Sequence, residues 1–257
     1  MKELFIDEKS INLKVEKQVK VKNILIDVPI KYKCTAINVV FPISTIEARR
    51  AIGYPKFNPL EIFFGKSLLC MTLFNFSSTP VGPYTEMTLS IPISYNSKFN
   101  FPLVSVPVSQ LLGKFGFFVL LIAQSSEFAI EHGNVINGYP HYPKLINVQF
   151  KSDNSVVYVQ AGGDGKEILQ FQLKKSLREK IQKESHMTYL VKEDKIFIIK
   201  METYGIIDRS KIHNLSLGNH ELAEFIKRLG ISDKSIDTRF YRDTVKIINS
   251  SQLVGTV

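Results

Sequence analysis

The sequence predicts a mostly β protein with a few helices, an α+β single domain spanning residues 1–257. Short runs of β-branched and aromatic residues recur along the chain with turn chemistry between them. Several runs are apolar at nearly every position, the pattern of strands buried on both faces rather than one. No linker rich in Gly, Pro or Ser, no internal repeat and no shift of composition divides the chain.

The strand signals follow in order. Residues 20–26 alternate and end apolar, and residues 68–74, 87–95 and 117–123 read as strands. Residues 147–150 and 156–160 flank Lys151-Ser152-Asp153-Asn154-Ser155, whose Asp and Asn tolerate turn backbone, so this segment reads as a hairpin. Residues 168–173, 195–202 and 244–248 extend the β content. Gly162-Gly163-Asp164-Gly165 is a turn between strands, because it lacks the strand-to-helix setting and the Gly-Lys-Ser/Thr ending of a phosphate loop.

Helices are announced by their caps. Ser44 with Glu47 forms a capping box, and Gly53 is placed to stop that helix. Ser176 with Glu179 repeats the signal, with Lys174, Lys175, Lys180 and Lys183 recurring along the helix it opens. Asn219 caps a helix whose Leu222, Phe225, Ile226 and Leu229 share one face, with Gly230 past its end.

Charge and composition exclude several classes. Lys and Arg outnumber Asp and Glu by 33 to 24, a net charge of +9, yet the basic residues are dispersed and not interleaved with aromatics, so nucleic acid is not an expected partner. The longest apolar run, residues 115–123, is far short of the ~20 residues that a membrane helix needs. Residues 1–16 mix charged and apolar side chains without the apolar core of a secretion signal. A soluble cytoplasmic protein without a membrane partner is expected. Cys34 and Cys70 show neither a disulfide framework nor zinc spacing, and His132, His141, His186, His213 and His220 show no metal spacing. No metal or cofactor is therefore expected, and each histidine reads as a surface or loop residue.

Two stretches carry chemistry. In Gly82-Pro83-Tyr84-Thr85-Glu86 a Gly-Pro turn feeds a strand that opens with a carboxylate, and desolvation between apolar walls would fit Glu86 for proton transfer. Unburied, it is an ordinary strand-end glutamate. In Gly138-Tyr139-Pro140-His141-Tyr142-Pro143-Lys144 two X-Pro pairs stiffen the backbone, either tyrosyl-proline bond can be cis, and His141 and Lys144 are held on the loop. Lys144 becomes a nucleophile only if its ammonium form is destabilised, and is otherwise a surface charge.

These stretches resemble the acetoacetate decarboxylase family. Tyr84-Thr85-Glu86 before Ile91-Pro92-Ile93, the glycine-led run from Gly133 into Gly138-Tyr139-Pro140, and Ala48-Arg49-Arg50 with Asn58-Pro59-Leu60-Glu61-Ile62 are similar to family segments in the same order over residues 34–160. The resemblance implies a β-cone or barrel-like single domain, assembled as a homo-oligomer, that binds a small or medium oxo acid. A lysine forms a Schiff base with the ketone and carbon dioxide leaves; the enzyme that names the family is a standard case of a lysine activated by a neighbouring cation. An ungapped alignment puts His141 and Tyr142 at the lysine pair, and imidazole forms no stable iminium. A shifted alignment makes Lys144 the Schiff-base residue and Leu145 its neighbour. Met71 falls near a second family carboxylate and Cys34 near a substrate-holding arginine. The expected catalytic set is Lys144, Glu86 and His141, with Tyr84, Tyr139, Tyr142 and Met71 along the substrate. The alternative is a non-catalytic or differently catalytic member that binds an apolar carboxylic acid or ketone in the same cavity.

Overall fold

The computed structural model describes residues 11–97, 109–153, 155–175, 181–232 and 234–257. The chain opens with a hairpin of β1 (Lys17–Val21) and β2 (Ile24–Val28), turning at Lys22, which takes a left-handed φ of 52°. That turn interrupts the single strand expected over residues 20–26. The long strand β3 (Ile30–Ser44) leads into α1 (Thr45–Ile52), the short β4 (Phe57–Pro59), β5 (Lys66–Ser78), β6 (Tyr84–Tyr95) and β7 (Phe115–Gln124). After α2 (Glu127–Ile136) come β8 (Asn147–Ser152), β9 (Val156–Gly163), β10 (Lys166–Lys174), β11 (Ile181–Lys192) and β12 (Lys195–Arg209). The chain ends with β13 (Ile212–Leu217), α3 (Glu221–Arg228), β14 (Asp237–Ile248) and β15 (Gln252–Thr256).

Strands β11, β7, β6, β5, β3, β14 and β12 pair in that order, and β11 pairs again with β12, so the sheet closes into a seven-stranded barrel. The closing pair between β11 and β7 is parallel, and the other pairs of the ring are antiparallel. A second sheet, β13-β10-β9-β8, covers the outside of the barrel together with α3.

The alternation of a strand then sorts the side chains. On β3, Ile37, Val39, Phe41 and Ile43 face out toward the second sheet, while Tyr32, Cys34, Ala36 and Asn38 face in. On β5, Leu69, Met71 and Leu73 face out, while Cys70, Thr72 and Phe74 face in. Both faces are covered, which is why these strands read as near-continuous apolar runs in the sequence.

β14 departs from strict alternation. Asp237, Arg239 and Tyr241 point inward, and so do Thr244, Lys246 and Ile248. One extra residue separates the two sets, because Tyr241 pairs with Ala36 and Thr244 with Cys34. This β-bulge places Asp243 at a φ of 45° and turns the even-numbered positions into the barrel. Gly205 on β12 packs against the bulge, where an added Cβ would lie 2.4 Å from Thr244 Cγ2 and 2.9 Å from Thr244 Cα.

The caps hold with local changes. Ser44 Oγ accepts the Ile46 N–H and Gly53 ends α1 at a φ of 72°, but Glu47 pairs with Arg50 instead of closing a box. His220, not Asn219, is the N-cap of α3, accepting the Leu222 N–H at Nδ1. Asp164 and Gly165, both at positive φ, make the two-residue turn between β9 and β10. Residues 176–180, where a helix is expected after Ser176, lie outside the described residues. The expected continuation through Lys183 is corrected: Lys183 sits on β11, its ammonium 4.9 Å from the Tyr204 ring across the strand pair. The helix α2 carries no sequence signal recognised above; Ser126 caps it by accepting the Ala129 N–H.

Among the described residues no helix is long and apolar enough to cross a membrane. Both cysteines are free thiols. Replacing Gly205 with Ala should cost about 1–3 kcal/mol by overpacking the β12–β14 bulge. Denaturant unfolding measures it, and an unchanged midpoint would show that the contact is relieved at no cost.

Candidate active site

The barrel encloses a cavity of about 570 Å³. That volume falls in the range of sites that hold ligands of drug-like size. Val40, Leu60, Leu68, Phe115, Phe117 and Val119 give it apolar walls. The polar groups on the inner face are mostly tied to one another. Asn38 donates to Thr72 Oγ1 at 2.7 Å, Tyr139 Oη shares a hydrogen bond with Thr188 Oγ1 at 2.8 Å, and Thr244 Oγ1 donates to the Cys34 carbonyl at 2.9 Å. Farther along β14, Arg239 donates to Glu184 at 2.7 Å and to Asp237 at 3.1 Å, so the guanidinium is matched by carboxylates.

Glu86 lies in this cavity, 7% exposed. It reaches it because β6 pairs Glu86 with Phe74 on one side and Gln124 on the other, all facing inward. Thr88 Oγ1 donates to one carboxylate oxygen at 2.7 Å and Gln124 Nε2 to the other at 2.7 Å. Burial pushes its pKa above the ordinary carboxylate value, against the pull of Lys246 and of its two donors. Tyr84 and Tyr139 line the same region. Burial raises both hydroxyls, so they are neutral donors at physiological pH.

His141 also lines the cavity, at the end of a loop that runs beside β7. Ile122 N–H donates to Pro140 O and Tyr142 N–H to Ile122 O, both at 2.8 Å, which fixes the loop against the barrel wall. Its Nδ1 is 2.8 Å from the Tyr139 carbonyl and 2.9 Å from Asn134 Oδ1. Both partners are acceptors, so Nδ1 carries the proton and Nε2 the lone pair. An added Cβ at Gly133 would lie 2.6 Å from that ring, so glycine is required for the approach. The tyrosyl-proline bonds of this loop are trans, since Val28–Pro29 is the cis bond recorded among the described residues.

Lys144, Tyr142 and Met71 lie elsewhere. The ammonium of Lys144 is half-exposed outside the barrel, 3.1 Å from Glu221 and 3.3 Å from Asp164, and these carboxylates hold its pKa above the ordinary lysine value. A nucleophilic amine requires the opposite shift. Tyr142 packs on His220 and donates its hydroxyl to Glu221, on the outward side of the loop from Tyr139. Met71 falls on the outward parity of β5, within the core under the second sheet. Three histidines read as surface or loop residues lie elsewhere: His132 is buried beside Tyr32, His220 is buried as the α3 cap, and His186 sits on β11 against the cavity.

The residue that sequence reasoning passed over is Lys246. It is 8% exposed, lines the cavity, and holds its ammonium 4.2 Å from the centre of the Phe74 ring. Lys246 Nζ makes no hydrogen bond or ion pair with a described residue. Burial lowers its pKa, opposed by the nearby Glu86 and Cys34. Its signal in the sequence is a lysine between Val245 and Ile247 in the apolar last stretch of β14, residues 245–248. Among the described residues no group of three or more His, Cys, Asp or Glu is arranged to hold a metal ion.

The family described as acetoacetate decarboxylase matches residues 17–202, well over half of the chain. No curated protein matches the sequence. Among solved structures, an acetoacetate decarboxylase is similar at a TM-score of 0.61 and 16% identity, covering 89% of this chain and 90% of that one. The acetoacetate decarboxylase of Legionella pneumophila gives 0.61 and 15%, covering 89% and 88%. The enduracididine biosynthesis enzyme MppR complexed with pyruvate gives 0.57 and 9%, covering 88% and 90%. At these identities the structural likeness establishes the fold.

His132 is 2% exposed, and burial lowers its pKa to about 4. The unfolded chain takes up that proton near pH 6.5. Stability is therefore complete above that pH and falls as pH drops from about 6.5 toward 4, by roughly 1.4 kcal/mol per pH unit for this group. Denaturant unfolding across that range should show a shallower decline in His132→Gln; equal slopes would mean that the imidazole protonates freely when folded.

Proposed function

The chain belongs to the acetoacetate decarboxylase family, and from that premise we propose that its barrel cavity is the site of a lyase acting on an oxo acid with an apolar chain. The reaction is loss of carbon dioxide from the carbon next to a ketone, with Glu86 supplying or removing the proton at that carbon.

The observation that carries this reading is the environment of Glu86. A carboxyl held in an apolar cavity, with its pKa raised by burial and two neutral donors fixing its plane, is fitted to exchange a proton with a bound substrate. Tyr84 and Tyr139 offer neutral hydroxyls beside it. A neutral donor can hold a developing oxyanion or a carboxylate without a fixed charge that would resist departure of carbon dioxide. The aromatic and aliphatic walls suit a hydrocarbon chain of several carbons better than the single methyl of acetoacetate.

A second reading has its own observation. His141, which forms no stable imine, follows Gly138-Tyr139-Pro140, and Lys144 is salt-bridged outside the barrel. A cavity that merely binds an apolar carboxylic acid or ketone fits that loop.

Carbon dioxide release from 3-oxooctanoate and from acetoacetate separates the two. The lyase reading expects turnover, favouring 3-oxooctanoate, and a kcat loss of about 10²–10⁴ in Glu86→Gln with a smaller change in KM. Saturable binding of 3-oxooctanoate without carbon dioxide release would support the binding reading instead.

A further inference from the structure

The lyase reading calls for an amine inside the barrel, and we propose that Lys246 is that amine, forming the imine with the substrate ketone from strand β14 rather than from the loop after Gly138-Tyr139-Pro140. This inference rests on the proposed lyase and narrows it to one nitrogen. It also places the nucleophile beyond residues 17–202, the segment that matches the family.

Lys246 is the only lysine among the described residues that line the cavity. It faces inward because of the extra residue in β14; strict alternation from Tyr241 would have turned Val245 and Ile247 into the barrel and Lys246 out. The neighbouring cation on the strand, Arg239, stays protonated and is paired with Glu184 and Asp237, so it is no nucleophile. The Lys246 amine lies over the face of Phe74, 4.2 Å from the ring centre, and makes no hydrogen bond with a described residue. An amine held by an aromatic face keeps some stabilisation of its charged form, but without a carboxylate in contact it loses most of what water provides.

The groups facing it come from every neighbouring strand. Tyr32 and Cys34 on β3, Glu86 on β6, His186 on β11 and Thr203 on β12 surround it. Burial raises the Tyr32 hydroxyl and the Cys34 thiol and lowers His186 to about 3, so none of these three is charged at neutral pH. Glu86 is the one acid of the set, and its carboxyl is itself pushed toward the protonated form. Burial thus pushes amine and acid toward their neutral forms while their mutual attraction opposes it, and the neutral pair is the state in which the amine can attack and the acid can donate.

The chemistry balances with one proton taken from solvent per turnover, the water lost on imine formation being returned on hydrolysis. The lone pair of the neutral amine forms a C–N bond to the ketone carbon, and the carbonyl π pair moves to oxygen, which takes the amine proton to give a carbinolamine. A proton from solvent on that oxygen lets it leave as water and yields the iminium. The bond to the carboxylate breaks, its electron pair moves through the new C–C double bond to nitrogen, and carbon dioxide departs. The enamine carbon then takes a proton from Glu86, and water hydrolyses the iminium to release the shortened ketone, the free amine and a proton that restores the Glu86 carboxyl.

Borohydride added during incubation with 3-oxooctanoate should reduce the iminium and leave a stable secondary amine on the Lys246 peptide in mass spectrometry. Lys246→Arg, which keeps a cation but cannot form the imine, should lose the adduct and carbon dioxide release with its melting midpoint measured alongside. Lys246→Cys treated with 2-bromoethylamine rebuilds an amine at that position and should regain both; Lys144→Met should keep both. An adduct on another lysine, or carbon dioxide release without any adduct, overturns the assignment while leaving the lyase reading standing. Absence of binding, turnover and adduct with both 3-oxooctanoate and acetoacetate overturns the lyase reading and the assignment with it.

Discussion

A closed barrel that is covered on its outside by a second sheet leaves its strands little contact with bulk water, so each polar group on the inner face must find a partner there or in a ligand. Most do. Asn38 meets Thr72, Thr88 and Gln124 meet Glu86, and Tyr139 meets Thr188. Gln124 Oε1 and His141 Nε2 are left without a partner among the described residues, and Lys246, the lysine of the same wall, makes no hydrogen bond to one either. The rest of the functional account follows from that desolvated amine and from the acid placed near it.

Position on the wall is set by parity. A single extra residue in β14 decides that Lys246 faces the cavity, as uninterrupted alternation on β5 decides that Met71 does not. The two cases show how a one-residue change of register exchanges core and site on a two-faced strand. Gly205 supports the first by leaving room for Thr244 where the bulge presses against β12.

Much of this was legible in the sequence. Apolar runs that could not be half-exposed announced strands buried on both faces, and the Gly-Pro turn before Tyr84-Thr85-Glu86 marked Glu86 as a candidate whose inward direction only the pairing with β5 and β7 decides. Tyr139 and His141 were placed by the stiff loop that carries them. What was not legible depended on contacts distant in the chain. Lys144 looks like a nucleophile behind a Tyr-Pro pair until α3 brings Glu221, and the β9–β10 turn brings Asp164, to hold its charge. Lys246 lies outside the region of resemblance, and a bulge defined by pairing to β3 and β12 cannot be read from β14 alone. His132 was hidden for a related reason, since α2 has a weakly patterned sequence and is fixed by its cap and by packing on Tyr32.

The most direct test of the central claim is the protonation of one nitrogen, followed by NMR of the lysine side chains as pH is raised, with Lys246 assigned by its loss in Lys246→Arg. A side chain that releases its proton well below the others, with a chemical-shift change mirrored when Glu86 is replaced by Gln, is the result this account predicts. A Lys246 that titrates with the exposed lysines near 10.4 would contradict it.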